Sequence, residues 1–277
     1  MKLGNVLSIF LSNVNSGIYK LVYGGVIMRA QFTLTPSESK RLIAKGVKAL
    51  PSVQKALNEH TIILSGGTTN GFLVEEMLGE SIEEKSSYTV GIVTDGKTGV
   101  SKEEKRIHPF IITKGKAQGK EVHWKEFLPQ LKQGDIFVKG GSALDHTGLA
   151  AVLVSDPLGG TIGAAQGSLY ARGIELVVPI GLEKLIPDVR EAVEFMSIAP
   201  ANEAIGVKVG LIPMLGATVV TEITALETLF KVKAKCIGAG GVADSEGAVI
   251  LVIDGAENEV QKALEEIRTL KGEPQVR

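Results

Sequence analysis

The segment Lys139-Gly140-Gly141-Ser142-Ala143-Leu144-Asp145-His146-Thr147-Gly148 sets an amine, a carboxylate and an imidazole close together in a glycine-rich stretch. Enolisation of a sugar phosphate needs an acid and a base near one carbon, with pKa values moved toward neutrality. Asp145 and His146 are adjacent in the loop, so one can point inward as a base while the other orients it or faces away. Lys139 would neutralise a phosphate or a developing enediolate. Each group also has a plainer reading: Asp145 as a carboxylate that bonds nearby loop amides, and Lys139 as a lysine snorkelling from a strand end.

Two more clusters supply backbone and hydroxyl donors without charge. Ser65-Gly66-Gly67-Thr68-Thr69-Asn70 stands between an apolar β-branched run, residues 61–64, and a helical stretch over residues 71–78. Glycines there let the backbone approach a ligand, and hydroxyls with helix-terminal amides suit an anion. The alternative is a tight turn in which Thr68 or Asn70 caps the helix. The Walker and dinucleotide glycine spacings are both absent. Gly159-Gly160-Thr161-Ile162-Gly163 opens a further helix, so Gly140, Gly141, Ser142, Thr147, Thr161 and Gly163 join the expected ligand-binding set. Gln166, one turn into that helix, is a weaker candidate. So is Asp95, which reads more naturally as an Asp-Gly turn former.

A recurring order of strand, loop and helix must position these loops. Residues 61–64, 88–93, 109–113, 136–138 and 175–180 read as strands, separated by helices that include residues 36–50, entered through the capping box Thr35-Pro36-Ser37-Glu38. That order predicts an α/β fold with a mostly parallel, Rossmann-like sheet and flanking helices, its ligand at the carboxyl ends of the strands. The expected ligand-binding domain spans residues 28–203. From residue 206 the order restarts as strand 207–213, helix 217–232, strands 235–239 and 247–254, and helix 257–270, which predicts a smaller ferredoxin-like α+β domain over residues 206–277. Residues 1–27 read differently: a charged start and a short apolar run diluted by Asn5, Asn13 and Asn15, too short for the roughly 20 apolar residues of a span. Translation is expected to begin at Met28, with residues 1–27 an extension.

Composition narrows the classes of function. The 277 residues are 44% hydrophobic and 22% charged with a formal net charge of −1, which gives no electrostatic footprint for nucleic acid or a membrane surface. The single cysteine, Cys236, cannot form an internal disulfide, and His60, His108, His123 and His146 are too scattered for metal-ligand spacing. A cytoplasmic protein with no metal or cofactor is expected.

The block Thr61-Ile62-Ile63-Leu64-Ser65-Gly66-Gly67-Thr68-Thr69-Asn70 and residues 135–184 resemble the fold shared by ribose-5-phosphate isomerase A, glucosamine-6-phosphate deaminase, CoA transferases and sugar-sensing transcriptional regulators. The first block resembles that family's phosphate-binding Gly-x-Gly-(Ser/Thr)-Thr loop. In the second, Gly141-Ser142-Ala143-Leu144-Asp145 and Thr161-Ile162-Gly163 match its Gly-Ala-(Asp/Asn)-x-(Val/Ile)-Asp and Gly-Thr segments. A competing alignment sets Lys139-Gly140-Gly141-Ser142-Ala143 on the isomerase's Lys-Gly-Gly-Gly-Gly-Ala, which would place Lys139 on the catalytic lysine. The isomerase's Asp-Gly-Ala-Asp motif is echoed only by Thr94-Asp95-Gly96, and no CoA-transferase Glu-x-Gly run is present. The C-terminal order resembles the small domain of pentose-phosphate isomerases and the bacterial-microcompartment shell domain, families that pack edge to edge, which implies a homo-oligomer. Two functions stay open: a metal-independent isomerase or transferase acting on a small anionic metabolite (a sugar phosphate, a carboxylate or a CoA- or folate-type ligand), or a non-catalytic ligand-binding or assembly protein with a vestigial pocket.

Overall fold

Thr35 caps its helix as its sequence predicts: the hydroxyl accepts from the Glu38 amide while the Glu38 carboxylate accepts from the Thr35 amide. In the computed structural model, which describes residues 27–119, 122–198 and 201–276, the chain is an α/β fold with a mixed six-stranded sheet. In chain order the elements are β1 (Ile27–Leu34), α1 (Pro36–Ala49), α2 (Pro51–Glu59), β2 (Thr61–Leu64), α3 (Thr68–Leu78), β3 (Gly91–Thr94), β4 (Lys97–Val100), β5 (Phe110–Thr113), β6 (Lys116–Ala117), α4 (Trp124–Phe127), β7 (Ile136–Val138), β8 (Ala143–Leu144), β9 (Ala150–Val154), α5 (Gly160–Arg172), β10 (Glu175–Pro179), α6 (Val189–Ile198), β11 (Gly210–Pro213), β12 (Thr218–Val220), α7 (Glu222–Phe230), β13 (Lys233–Gly240), β14 (Ala248–Ala256) and α8 (Glu257–Leu270). The expected extension, apart from Ile27, lies outside the described residues.

The main sheet runs β12-β10-β7-β2-β5-β6, with β12, β10, β7 and β2 mutually parallel, β5 antiparallel to β2, and β6 antiparallel to β5. The expected mostly parallel arrangement thus gives way to a mixed one, and pairing over the described chain is largely antiparallel. Two features cause the difference. Asp95 and Gly96, both at positive φ, fold residues 91–100 into an exposed hairpin, and the Lys114-Gly115 turn returns the chain from β5 into β6.

β2, β7 and β10 are apolar on both faces and buried between two layers. On one side Ile62, Leu64, Ile136, Val138 and Val177 pack with residues of α1, α2, α3 and α7. On the other, Ile63, Phe137, Leu176 and Val178 pack with Ile162 and Leu169 of α5 and with Trp124 of α4. Gly46 lies against Ala225, where a side chain would overlap, and so lets α1 and α7 cross closely.

The strands expected in a unit over residues 206–277 take partners from across the chain. β11 pairs antiparallel with β9, β12 joins the main sheet beside β10, and β14 lies between β1 and β13. The expected helix over residues 217–232 divides, because the β-branched Thr218-Val219-Val220 forms β12 and Thr221 then caps α7. The last helix matches its predicted span, and Val260, Ala263, Ile267 and Leu270 form its buried stripe.

Candidate functional site

Sheet hydrogen bonding continues past the carboxyl ends of the parallel strands: Ser65 N donates to Val138 O at 3.0 Å, Lys139 N to Val177 O at 3.0 Å, and Ile180 N to Val220 O at 2.9 Å. The loops that begin at Ser65, Lys139, Ile180 and Thr221 therefore line one edge of the sheet in spatial order. This is the edge where α/β sheets receive ligands.

Two lysines converge on one peptide segment at this edge. Lys139 Nζ donates to Gly140 O at 3.0 Å, and Lys184 Nζ, from the turn after β10, donates to Gly141 O at 2.9 Å. Neither lysine forms an ion pair among the described residues. Burial first, and then the charge of Lys184, pull the Lys139 ammonium down to about 8. Burial foremost also lowers Lys184, with the Lys40 charge acting the same way and the Glu183 and Glu222 carboxylates against it.

Carboxylates flank this pair from behind. Glu222, the first residue of α7, is fully buried and accepts the Leu182 amide through both oxygens, at 3.0 and 3.3 Å. Burial foremost, and then the nearby Glu183 charge, push its carboxyl up to about 7. Glu183 Oε1 receives Lys40 Nζ of α1 at 3.3 Å, while its Oε2 is buried with no hydrogen-bond partner. A Cβ on Gly181 would overlap that oxygen, the end of a flexible side chain.

The Ser65–Asn70 loop lies beside Lys139 across the sheet. Its glycines pass under Tyr88: Gly67 N donates to Tyr88 O, and a Cβ on Gly66 would come within 2.9 Å of that oxygen. Gly67 is the N-cap of α3 and supplies no side-chain cap, so the alternative of capping by Thr68 or Asn70 is not what the loop does. Asn70 Nδ2 instead donates to Ser65 O at 2.8 Å, and Ser65 Oγ and Asn70 Oδ1 are buried without partners. Thr69 is buried, while Gly66 and Thr68 are half-buried.

The other expected residues lie elsewhere. Asp145 Oδ1 accepts from Thr147 N at 2.8 Å, Thr147 Oγ1 at 2.6 Å and Leu149 N at 3.2 Å, and Oδ2 accepts from Val189 N at 3.0 Å. Burial would raise its carboxyl, but these bonds outweigh burial and hold it below the usual range. Asp145 thus clamps the β8–β9 turn to α6, as in its plainer reading. His146 is exposed, its Nδ1 3.4 Å from Pro187 O, and the Thr147 hydroxyl is committed to Asp145. Ser142, half-buried, pairs its amide with Ala151 O at 2.7 Å. Thr161 and Gly163 lie in the first turn of α5, where Gly163 packs under Leu158 O. Gln166 donates to Pro213 O at 3.0 Å and Tyr170 Oη at 2.9 Å, and Asp95 sits exposed at the β3–β4 turn.

Lys184, Glu183, Glu222 and Lys40 join the site without belonging to any motif in the sequence. The strand over residues 175–180 was recognised, but not the charged Leu182-Glu183-Lys184 that follows Gly181. A separate cleft of about 510 Å³ near Arg41, Glu75, Lys85 and Glu273 makes no comparable demand for a ligand, since Arg41 and Lys85 are already paired with carboxylates there. No family model, curated protein or solved structure matches the chain.

Proposed function

We propose that the protein binds a small anionic metabolite, a sugar phosphate, a carboxylate or a CoA- or folate-type ligand, at the carboxyl ends of β2, β7, β10 and β12, and turns it over without a metal as an isomerase or transferase. One observation carries this reading: Lys139 and Lys184 hold two ammonium groups on the carbonyls of consecutive glycines, with no ion pair among the described residues. Like charges confined together are costly, and an anion between them offsets that cost. The N-terminal end of α3 lies beside them, although the Gly67 amide itself is given to Tyr88 O. Lys139, near 8, is able to exchange a proton around neutral pH. The resemblance to the ribose-5-phosphate isomerase A and CoA transferase fold, and a Rossmann-like origin for the parallel strands, belong to this proposal.

The second reading, a non-catalytic binding or assembly protein, is favoured by the complete engagement of Asp145, which takes that carboxylate out of service as a base. Self-association as a homo-oligomer belongs to this reading, and light scattering tests it.

Thermal melts with inorganic phosphate, ribose 5-phosphate, acetyl-CoA and a folate test the anion site. At a ligand concentration of about 100 Kd, binding adds about 2.7 kcal/mol of stability. The shift is expected in the wild type and lost in Lys184→Met; a wild type indifferent to every anion would remove the proposal.

A further inference from the structure

Lys139 and Lys184 differ in what they can do for one ligand. Their heads rest on the carbonyls of adjacent residues, and consecutive Cα atoms are only about 3.8 Å apart. The charge of Lys184 is also felt at Lys139. Two heads on one short stretch of chain suit a compact ligand that brings an anionic group and a reactive carbon together. A sugar phosphate separates its phosphate from its carbonyl by several bonds. A 2-oxo acid has the carboxylate bonded directly to the carbonyl carbon.

Building on the anion-binding reading above, we infer that Lys139 forms an imine with the carbonyl carbon of a 2-oxo acid whose carboxylate is held by Lys184. The nitrogen lone pair of the neutral amine attacks the carbonyl carbon, forming the C–N bond, and the C=O π pair moves to oxygen, which takes a proton to give a carbinolamine. The amine proton is lost, oxygen takes a second proton and leaves as water, and the nitrogen pair closes the C=N bond. In sum, one amine, one carbonyl and one proton give one protonated imine and one water, with no change of oxidation state. The proton comes from solvent, which reaches the half-buried Lys139 side chain. An amine desolvated beside a second cation is a known route to a nucleophilic lysine. Lys184, holding the carboxylate, sets which carbonyl compounds are accepted.

Pyruvate with sodium cyanoborohydride, followed by intact mass measurement and peptide mapping of the full chain, tests this. The expected product is one adduct with the mass of pyruvic acid less one oxygen atom, carried by the peptide that contains Lys139. Its yield at fixed time should rise with pH through about 8, as the amine becomes neutral. Lys139→Arg keeps a cation at that position but offers no nucleophilic amine and should lose the adduct, its ligand-free melt serving to show that the variant is folded. Lys184→Met should lower the yield about tenfold, and Lys184→Arg, which preserves the cation should the first variant fold poorly, should restore most of it. An adduct unchanged in Lys139→Arg, or a reductive adduct with ribose 5-phosphate but none with pyruvate, overturns the inference. If phosphate still shifts the melt and no adduct forms, the imine falls while the anion site stands; if neither is seen, both fall.

Discussion

The Leu182 amide donates to both carboxylate oxygens of Glu222, at 3.0 and 3.3 Å, which fixes a fully buried acid beneath the β10 loop. Its carboxyl lies near 7 instead of the usual 4.5, so between those values the folded state holds a proton that the unfolded chain has released. The stability this proton supplies is complete below about pH 4.5 and is lost as pH rises through about 7. Glu222→Gln keeps an acceptor for Leu182 and has no charge to bury. The variant should gain on the wild type as pH rises from 5 to 8, by at most roughly 3 kcal/mol. Melts across that range check it, and parallel pH profiles for the two proteins would contradict it.

The depressed Lys139 ammonium owes part of its shift to Lys184. Lys184→Met should raise it toward the ordinary lysine range, although burial, the larger cause, keeps it below 10.5. Competitive labelling with acetic anhydride, read on the Lys139 peptide against pH, should give a midpoint near 8 in the wild type and a higher one in the variant. Identical midpoints would mean that the two ammonium groups do not sense each other.

Periodicity and turn chemistry made much of the framework readable. The Thr35 capping box, the strands over residues 61–64 and 136–138 and the stripe of α8 are local signals, and each lies where its residues predict. Pairing direction is not local. Nothing in the run from Phe110 to Thr113 says that it returns antiparallel beside β2, and β12 was hidden because Thr218-Val219-Val220 is short and adjoins a helix. The site divides in the same way. Lys139 and the Ser65–Asn70 loop were visible because each follows an apolar strand, whereas Glu222 and Lys40 reach the same edge only through the packing of α7 and α1.

Asp145→Asn should act on stability more than on binding. An amide in that place cannot accept four donors as a carboxylate does, and its own NH₂ would face backbone N–H groups. The cost should be about 1–3 kcal/mol, or very roughly 3–10 °C in a protein of this size. The wild-type carboxyl is depressed, so its contribution is present above about pH 3.8 and is lost as pH falls through its lower folded value. The wild type should therefore converge on Asp145→Asn in acid. A variant with wild-type Tm and impaired anion binding would restore Asp145 to the site.

Ser65→Ala separates an anion cradle from a simple turn. Ser65 Oγ is buried without a partner, so removing it from the unliganded protein should be neutral or mildly stabilising. If the loop grips an anion through that hydroxyl, the same change should weaken phosphate binding by roughly the 0.5–1.5 kcal/mol of one hydrogen bond, or more for a charged partner. Calorimetric titration with phosphate measures it, and unchanged affinity would restrict the loop's part to its backbone.

Gly181→Ala probes how Glu183 and Glu222 are coupled. Gly181 has φ near −80°, so alanine meets no backbone strain, and what stands in the way is the end of the flexible Glu183 side chain. The cost in stability should accordingly stay below about 1 kcal/mol. To make room, the Glu183 carboxylate must swing away, which loosens its pair with Lys40 and withdraws the negative charge that helps hold Glu222 up. The stability loss that the wild type shows toward pH 7 should then occur at lower pH in the variant. An unchanged profile would mean that burial alone sets the Glu222 carboxyl, and a loss well above about 2 kcal/mol would mean that Glu183 is held more rigidly than one ion pair can account for.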